Sequence, residues 1–226
     1  MLTAAGIKRG MHVLDVGCGV GDVSFLLAGI VGIEGSITGV DLDGEAIKVA
    51  DDRRAAQGLD NVAFHQSDAR FLGPGQLFDA AVGRFVLMFM EDATAALRLI
   101  IERIRPGGIV AFPEVDPQVT VAPDKTYPVL ARFQSLIAPT FERSGTRLEI
   151  SAELYQRMLD AGLEPDPRPL AQIPVVMSRG EIAYRRWALF ARSMLPKMAA
   201  YGLATEKDLL DIVEHRCAMS CFQPAV

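Results

Sequence analysis

A doubly wound α/β fold with a mostly parallel sheet is predicted by two observations. From residue 12 onward, short apolar runs alternate with segments of helical period, the rhythm of βαβ units. The first of these runs ends in a glycine-rich turn, Gly17-Cys18-Gly19-Val20-Gly21, at the place where such sheets bind ligands.

His12 to Val16 is the first strand. Val20 to Ile30 follows as a helix, and Ser36 to Asp41 is a β-rich run ending in an acid. Gly44 to Gln57 has helical spacing, with Gly58 placed to cap its C-terminus. Asn61 to Gln66 and Phe78 to Gly83 are the third and fourth strands. In Asp92 to Arg105, Leu97, Ile100, Ile101 and Ile104 share one helical face. Pro106-Gly107-Gly108 is read as its stop, and Ile109 to Pro113 as the fifth strand. After Glu114 the rhythm changes. Helices are predicted over Tyr127 to Arg143, Ser151 to Ala161, Glu181 to Tyr201 and Glu206 to Cys217, with an extended segment at Leu170 to Met177. The whole reads as one domain, 1–226, with a ligand-binding half over 1–116 and substrate-side helices and last strands over 117–226. Residues 219–226 keep strand character to the last residue, so the natural chain is expected to extend past one or both ends.

Composition narrows the classes. At 226 residues, one large domain or one domain with an elaboration is expected. Half the residues are hydrophobic and 23% are charged, which excludes a disordered or collagen-like chain. The mean hydropathy of +0.22 calls for a large core or an apolar surface kept for a lid or substrate. The longest apolar runs, Val23 to Ile33 and Phe85 to Met90, are too short to span a membrane. No signal peptide is expected, because the chain opens with no basic region ahead of an apolar one. A net charge of −5 argues against nucleic acid as partner. Cys18, Cys217 and Cys221 form neither a disulfide framework nor a zinc set, so a reducing, cytoplasmic compartment and no bound metal are expected.

The glycine turn is the informative segment. Glycines after a parallel strand let the backbone pass close beneath a ligand. A dinucleotide fingerprint needs its third glycine one position later, where this chain has Asp22. An acid there would face a pyrophosphate, so NAD fits poorly. Asp15 ahead of Gly17, Gly19 and Gly21 resembles motif I of the class I S-adenosylmethionine-dependent methyltransferases. Gly39-Val40-Asp41, Gln66-Ser67-Asp68-Ala69, Phe78-Asp79-Ala80-Ala81-Val82 and Arg105-Pro106-Gly107-Gly108 resemble that family's later segments, in order and spacing, across residues 11–115.

The resemblance implies a seven-stranded Rossmann-like sheet with a helical cap, and S-adenosyl-L-methionine as cofactor, leaving S-adenosyl-L-homocysteine. It implies that Asp15 anchors the methionine amino group, with Gly17, Cys18, Gly19 and Gly21 along the methionine and ribose. Asp41 would hold the ribose hydroxyls, and two acceptor oxygens on one carboxylate do suit a vicinal diol. Leu42 would lie beside the adenine, Asp68 and Ala69 at its amino edge, and Arg84 and Phe85 under the methionine. A surface ion-pair role for Arg84 stays open.

Gly83-Arg84-Phe85-Val86 stands where amino-methylating nucleic-acid enzymes have an Asn/Asp-Pro-Pro-aromatic motif, and no Pro-Cys dipeptide exists for cytosine C5 chemistry. His12, His65 and His215 read as core or surface residues, and no catalytic residue is assigned. Met88, Phe89, Glu114, Tyr127 and Trp187 are the substrate-side candidates. Glu114 and Asp116 serve equally as loop caps, and aromatics at helical spacing such as Phe133 and Phe141 are more often plain core, though their abundance here suggests an apolar lid. The expected function is methyl transfer to a small, partly apolar acceptor, and within the family the layout is most similar to small-molecule enzymes of ubiquinone-biosynthesis and secondary-metabolism type. A homodimer is the one protein partner carried with this reading. A non-catalytic binder of the same cofactor, and behind it an NAD-dependent oxidoreductase, are the alternatives.

Overall fold

The computed structural model describes residues 1–72, 75, 77–115, 128–167 and 181–205, with side chains omitted at 128–131, 181–189 and 191. Five parallel strands, β1 (His12–Val16), β2 (Ser36–Asp41), β3 (Val62–Gln66), β4 (Phe78–Val82) and β5 (Ile104–Ala111), form one sheet in the order β3-β2-β1-β4-β5. The central strand β1 is buried from Val13 to Val16, which is why it reads as a continuous apolar run rather than an alternating one. Its register places Val13 beside Ile37 on one side and Ala80 on the other.

Helices α1 (Asp22–Val31), α2 (Gly44–Gln57) and α3 (Ala93–Ile101) connect the strands. Local chemistry sets the ends of α2. The Asp43 carboxylate accepts the N–H groups of Glu45 and Ala46, and Gly58 closes the helix at φ 62°. The Asp92 carboxylate caps α3 through the Ala95 N–H. Val13, Leu27, Val31, Ile37, Ala50 and Val82 are among the fully buried residues between α1, α2 and the sheet.

Two expectations are corrected. Seven strands were expected, and the described residues hold five. The segments that would supply more, Leu170 to Met177 and 219–226, lie outside the described residues, as does the helix expected over Glu206 to Cys217. The second concerns Asp92 to Arg105. The helix stops at Ile101, and β5 begins at Ile104 and carries Pro106-Gly107-Gly108 inside it. Ile104 pairs with Phe78 and Ile109 with Ala80, so four residues bulge opposite Asp79. Pro106 has no N–H to give the ladder, and a side chain on Gly108 would sit 2.8 Å from the Asp79 carbonyl oxygen. Arg105 pairs with the Asp79 carboxylate, which also accepts the His12 N–H at 2.7 Å.

The chain divides into two compact units, residues 1–115 with 149–165 and residues 116–148 with 166–226. The first also holds α5 (Ile150–Asp160), which packs on α3, with Arg98 donating to the Asp160 carbonyl at 2.6 Å. In the second, α4 (Pro128–Arg143) packs on α6 (Glu181–Ala200) around Phe133, Leu136, Ile137, Met194 and Met198. The Phe133 and Phe190 rings meet edge to face at 5.9 Å, so Phe133 is a core residue of this unit. Among the described residues no helix is long and apolar enough to cross a membrane.

Candidate functional site

The chain winds from β1 outward through β2 and β3, then returns to place β4 on the other side of β1. The carboxyl ends of β1 and β4 therefore open a crevice at the switch of direction, where open α/β sheets bind ligands. The residues leaving those ends are the glycine turn and the segment Gly83 to Phe89.

The turn is held by its neighbour strand. The N–H groups of Gly17 and Cys18 both donate to the Val40 carbonyl, and the Gly19 N–H donates to Asp41 Oδ2 at 2.8 Å. Gly17 has φ +66°, and a Cβ there would lie 2.4 Å from Val86 Cγ2. Gly19 has φ +52° but open space where its Cβ would be, so the turn leaves room above its middle residue. Gly17→Ala should therefore cost roughly 2–4 kcal/mol of stability, through backbone strain plus overpacking. Gly19→Ala should cost about 1–2 kcal/mol, from strain alone, yet still impair binding of a ligand that fills the open space. Urea melts paired with ligand titrations separate the two effects.

Asp15 is 1% exposed at the end of β1. Ser24, fully buried in the first turns of α1, donates its hydroxyl to Asp15 Oδ2 at 2.5 Å. Burial pushes the Asp15 carboxyl up to about 7, the Asp41 charge adds to the rise, and Ser24 and Arg84 only partly oppose it. Ser24 is a residue that sequence reasoning missed. A lone hydroxyl on the buried face of an apolar helix was the available signal.

Asp41 ends β2, and each of its carboxylate oxygens accepts one backbone N–H, from Gly19 and from Asp43 at 2.9 Å. Each oxygen keeps a second lone-pair direction, so a diol can still be accepted. Cys18 is buried against Gly39, and burial next to Asp15 and Asp41 pushes its thiol far up, which makes it inert packing.

Asp68 caps the one-turn 3₁₀ helix Ala69–Phe71 through the Arg70 N–H, and both its oxygens hold the Arg70 guanidinium at 2.6 to 3.0 Å. That hydrogen bonding holds its carboxyl below the usual range. Ala69 is buried, whereas Leu42 is 68% exposed at the carboxyl end of β2.

Beyond β4, the Arg84 guanidinium lies 5.7 Å from the Phe85 ring centre. Phe85 has φ +56°, a left-handed conformation rare outside glycine, and remains 43% exposed. Its N–H donates to the Pro113 carbonyl at 3.0 Å, which ties this loop to the end of β5. Such strain concentrates at functional loops. Phe89 is 58% exposed and faces solvent, but Met88 is 2% exposed and belongs to the core.

Glu114, just past β5, accepts the Val86 and Leu87 N–H groups on Oε1 at 3.0 and 2.8 Å. Its other oxygen, Oε2, is buried without a hydrogen-bond partner, and burial pushes the carboxyl up to about 7. Tyr127 lies outside the described residues, as does the Trp187 side chain on α6. Among the described residues no group of three or more His, Cys, Asp or Glu could hold a metal. A shallow hollow lined by Ile33, Gly58, Leu59, Asp60 and Asn61 sits at the opposite, amino end of the strands, away from these acids.

Two acids, Asp15 and Asp41, flank the turn, whereas Asp22 at the start of α1 is paired with Arg53. This charge pattern favours a cationic ligand over a pyrophosphate. Carboxylate acceptors of this kind suit a ligand that carries an ammonium group and a diol.

Residues 7–158 match the methyltransferase-domain family. The chain belongs to the S-adenosylmethionine-dependent methyltransferases. The family's cofactor is S-adenosyl-L-methionine, and its Rossmann-like parallel sheet is the one described above. This methyltransferase is 30% identical over 177 residues to the ubiquinone/menaquinone biosynthesis C-methyltransferase UbiE of Coxiella burnetii, covering 72% of this chain and 70% of that one. It is 35% identical over 109 residues to UbiE of Cellvibrio japonicus, where the match spans 47% of this chain and 44% of that relative's length. Among solved structures, a SAM-dependent methyltransferase from Aquifex aeolicus aligns with TM-score 0.55 at 23% identity, covering 71% of this chain and 76% of that one. The [4+2]-cyclase SpnF aligns with TM-score 0.57 at 24% identity, covering 98% and 73%. These two likenesses establish the shared fold.

Proposed function

We propose that this methyltransferase moves the methyl group of S-adenosylmethionine to a small, partly apolar acceptor by in-line displacement. The observation that carries the reading is the pair of acids around one glycine turn at the switch point, Asp15 buried on Ser24 and Asp41 tied to the Gly19 amide. When bound, the cofactor supplies a methyl group on a sulfonium with a good thioether leaving group. Asp15 gives its ammonium group an anion in a dry setting. The free lone pairs of Asp41 take the ribose diol, Leu42 and Ala69 flank the adenine, and Asp68 accepts from its amino group once Arg70 yields an oxygen. Gly17 to Gly21 run beneath it, and Arg84 and Phe85 lie at the methionine end. Holding an acceptor atom about 3 Å from the methyl, opposite sulfur, supplies much of the rate without further chemistry.

Glu114 is the proposed acceptor-side acid. Oε1 is fixed by two amides, leaving Oε2 to take a hydrogen bond or a proton from an acceptor O–H or N–H. Glu114→Gln should leave S-adenosylhomocysteine affinity within about twofold and slow transfer to a protonated acceptor by roughly 10²–10⁴-fold. Equal rates in the two proteins would remove Glu114 from the reaction.

The relatives' names make quinols with a free ring carbon the first acceptors to try, beside phenols and amines. Acceptor-dependent formation of S-adenosylhomocysteine supports transfer. Binding of the cofactor product with no turnover across the panel would favour a non-catalytic binder. The proposed setting is a reducing cytoplasm with no nucleic-acid partner, in keeping with the unpaired Cys18 and the acidic balance.

A further inference from the structure

The glycine turn is braced from outside the nucleotide-binding motif by one side chain of α2. Arg53 donates from Nη1 to the Val20 carbonyl at 2.5 Å and pairs through the same nitrogen with Asp22 Oδ1 at 2.8 Å. Its guanidinium lies 4.9 Å from the centre of the Phe25 ring, and Phe25 meets Phe64 edge to face at 5.8 Å. Those two rings also bound the turn from below, since a side chain on Gly21 would come within 2.8 Å of Phe64 and 2.9 Å of Phe25. The hydrogen bonds of Gly17, Cys18 and Gly19 to β2 secure the first half of the turn. In the second half the Gly21 N–H reaches only back to Cys18, and the Val20 carbonyl is held by Arg53.

We infer that Arg53 is a positioning residue for cofactor binding, fixing the second half of the glycine turn through the Val20 carbonyl and Asp22. The inference rests on the proposed site. The Arg53 and Asp22 side chains are 40% and 55% exposed, so their ion pair adds little to the stability of the fold. Its effect falls instead on how often the turn holds the binding geometry. Apparent affinity scales with the fraction of molecules in the competent conformation. Nη1 carries two N–H groups and so reaches the carbonyl and the carboxylate together, while the planar guanidinium keeps its contact with the Phe25 ring, a contact that an ammonium group makes less well. The same pair neutralises Asp22 at the start of α1, beside the turn.

The test is calorimetric titration of S-adenosylhomocysteine into wild type, Arg53→Ala, Arg53→Lys and Asp22→Asn, with thermal melts of each protein without ligand. Arg53→Ala should weaken binding about tenfold, as expected if the competent turn falls to a tenth of the population. Its melting temperature should stay within about 2 °C of wild type, the size of a small surface change in a chain of this length. Arg53→Lys should recover part of the loss. Asp22→Asn, which keeps the bond to Val20, should lose less than Arg53→Ala. Unchanged affinity in Arg53→Ala overturns the inference alone, and so does a loss matched by a large fall in melting temperature. Failure of wild type to bind S-adenosylhomocysteine overturns the proposed site together with it.

Discussion

Replacing Asp41 by alanine is expected to weaken S-adenosylhomocysteine binding by roughly 30- to 150-fold, about 2–3 kcal/mol. Two effects add. The ribose diol loses a charged acceptor, and the Gly19 and Asp43 N–H groups lose the carboxylate that orders the turn. Asp41→Asn should lose less, because its one remaining oxygen still accepts an N–H. The variant should also ease the titration of Asp15, whose carboxyl the Asp41 charge pushes up. Calorimetry reads the first effect, and the pH dependence of binding reads the second. Wild-type affinity in Asp41→Ala would show that the ribose lies elsewhere.

Asp15→Asn should act in opposite directions on stability and binding. In the folded chain the Asp15 carboxyl titrates near 7, against an ordinary value of 3.8. Between those values the folded chain holds a proton that the unfolded chain has released. Stability from this group therefore falls as pH rises through that window and is flat above it. At pH 8 the ligand-free protein carries a buried charge that only Ser24 and Arg84 offset. Asn keeps an acceptor for the Ser24 hydroxyl and removes the charge. The variant should gain on the order of 2 kcal/mol at pH 8, a few degrees in melting temperature, and little at pH 4. Glu114 titrates in the same window, so part of the pH dependence should persist until Glu114→Gln is added. Binding moves the other way. The ammonium group loses its anion, and affinity should drop by roughly 10- to 100-fold at pH 8. In wild type, affinity should weaken as pH falls below 7, because binding then requires Asp15 to give up its proton. A destabilised Asp15→Asn with unaltered affinity would contradict both halves.

The strands and helices from His12 to Val82 were legible because local chemistry sets them. Gly58 ends α2 and Asp41 ends β2 where the chain pattern says they should. The end of α3 was not legible. Nothing in Asp92 to Arg105 shows that Arg105 pairs with Asp79 and that Pro106-Gly107-Gly108 bulges inside a strand, since that depends on a partner 26 residues away. At the site, the acids Asp15 and Asp41 could be named from motif spacing, but their settings could not. That Asp15 lies on Ser24, that Asp41 ties down Gly19, and that Asp68 is gripped by Arg70 are contacts made by folding. Met88 shows the limit of reading apolar residues near a site. It follows β4 as Phe89 does, yet it turns inward to 2% exposure while Phe89 stays out. Arg53 carries no sequence signal, being one of two adjacent arginines on a charged helix.

The central claim is that the turn between β1 and α1, with Asp15 and Asp41, holds the methionine and ribose of S-adenosylmethionine. Calorimetric titration at pH 8 of S-adenosylhomocysteine, with NAD in parallel, tests it most directly when wild type and Asp41→Ala are run together. The predicted result is one-to-one binding of S-adenosylhomocysteine to wild type, a large loss in Asp41→Ala, and no heat from NAD. Heat from NAD with none from S-adenosylhomocysteine, or equal binding to both proteins, would contradict it.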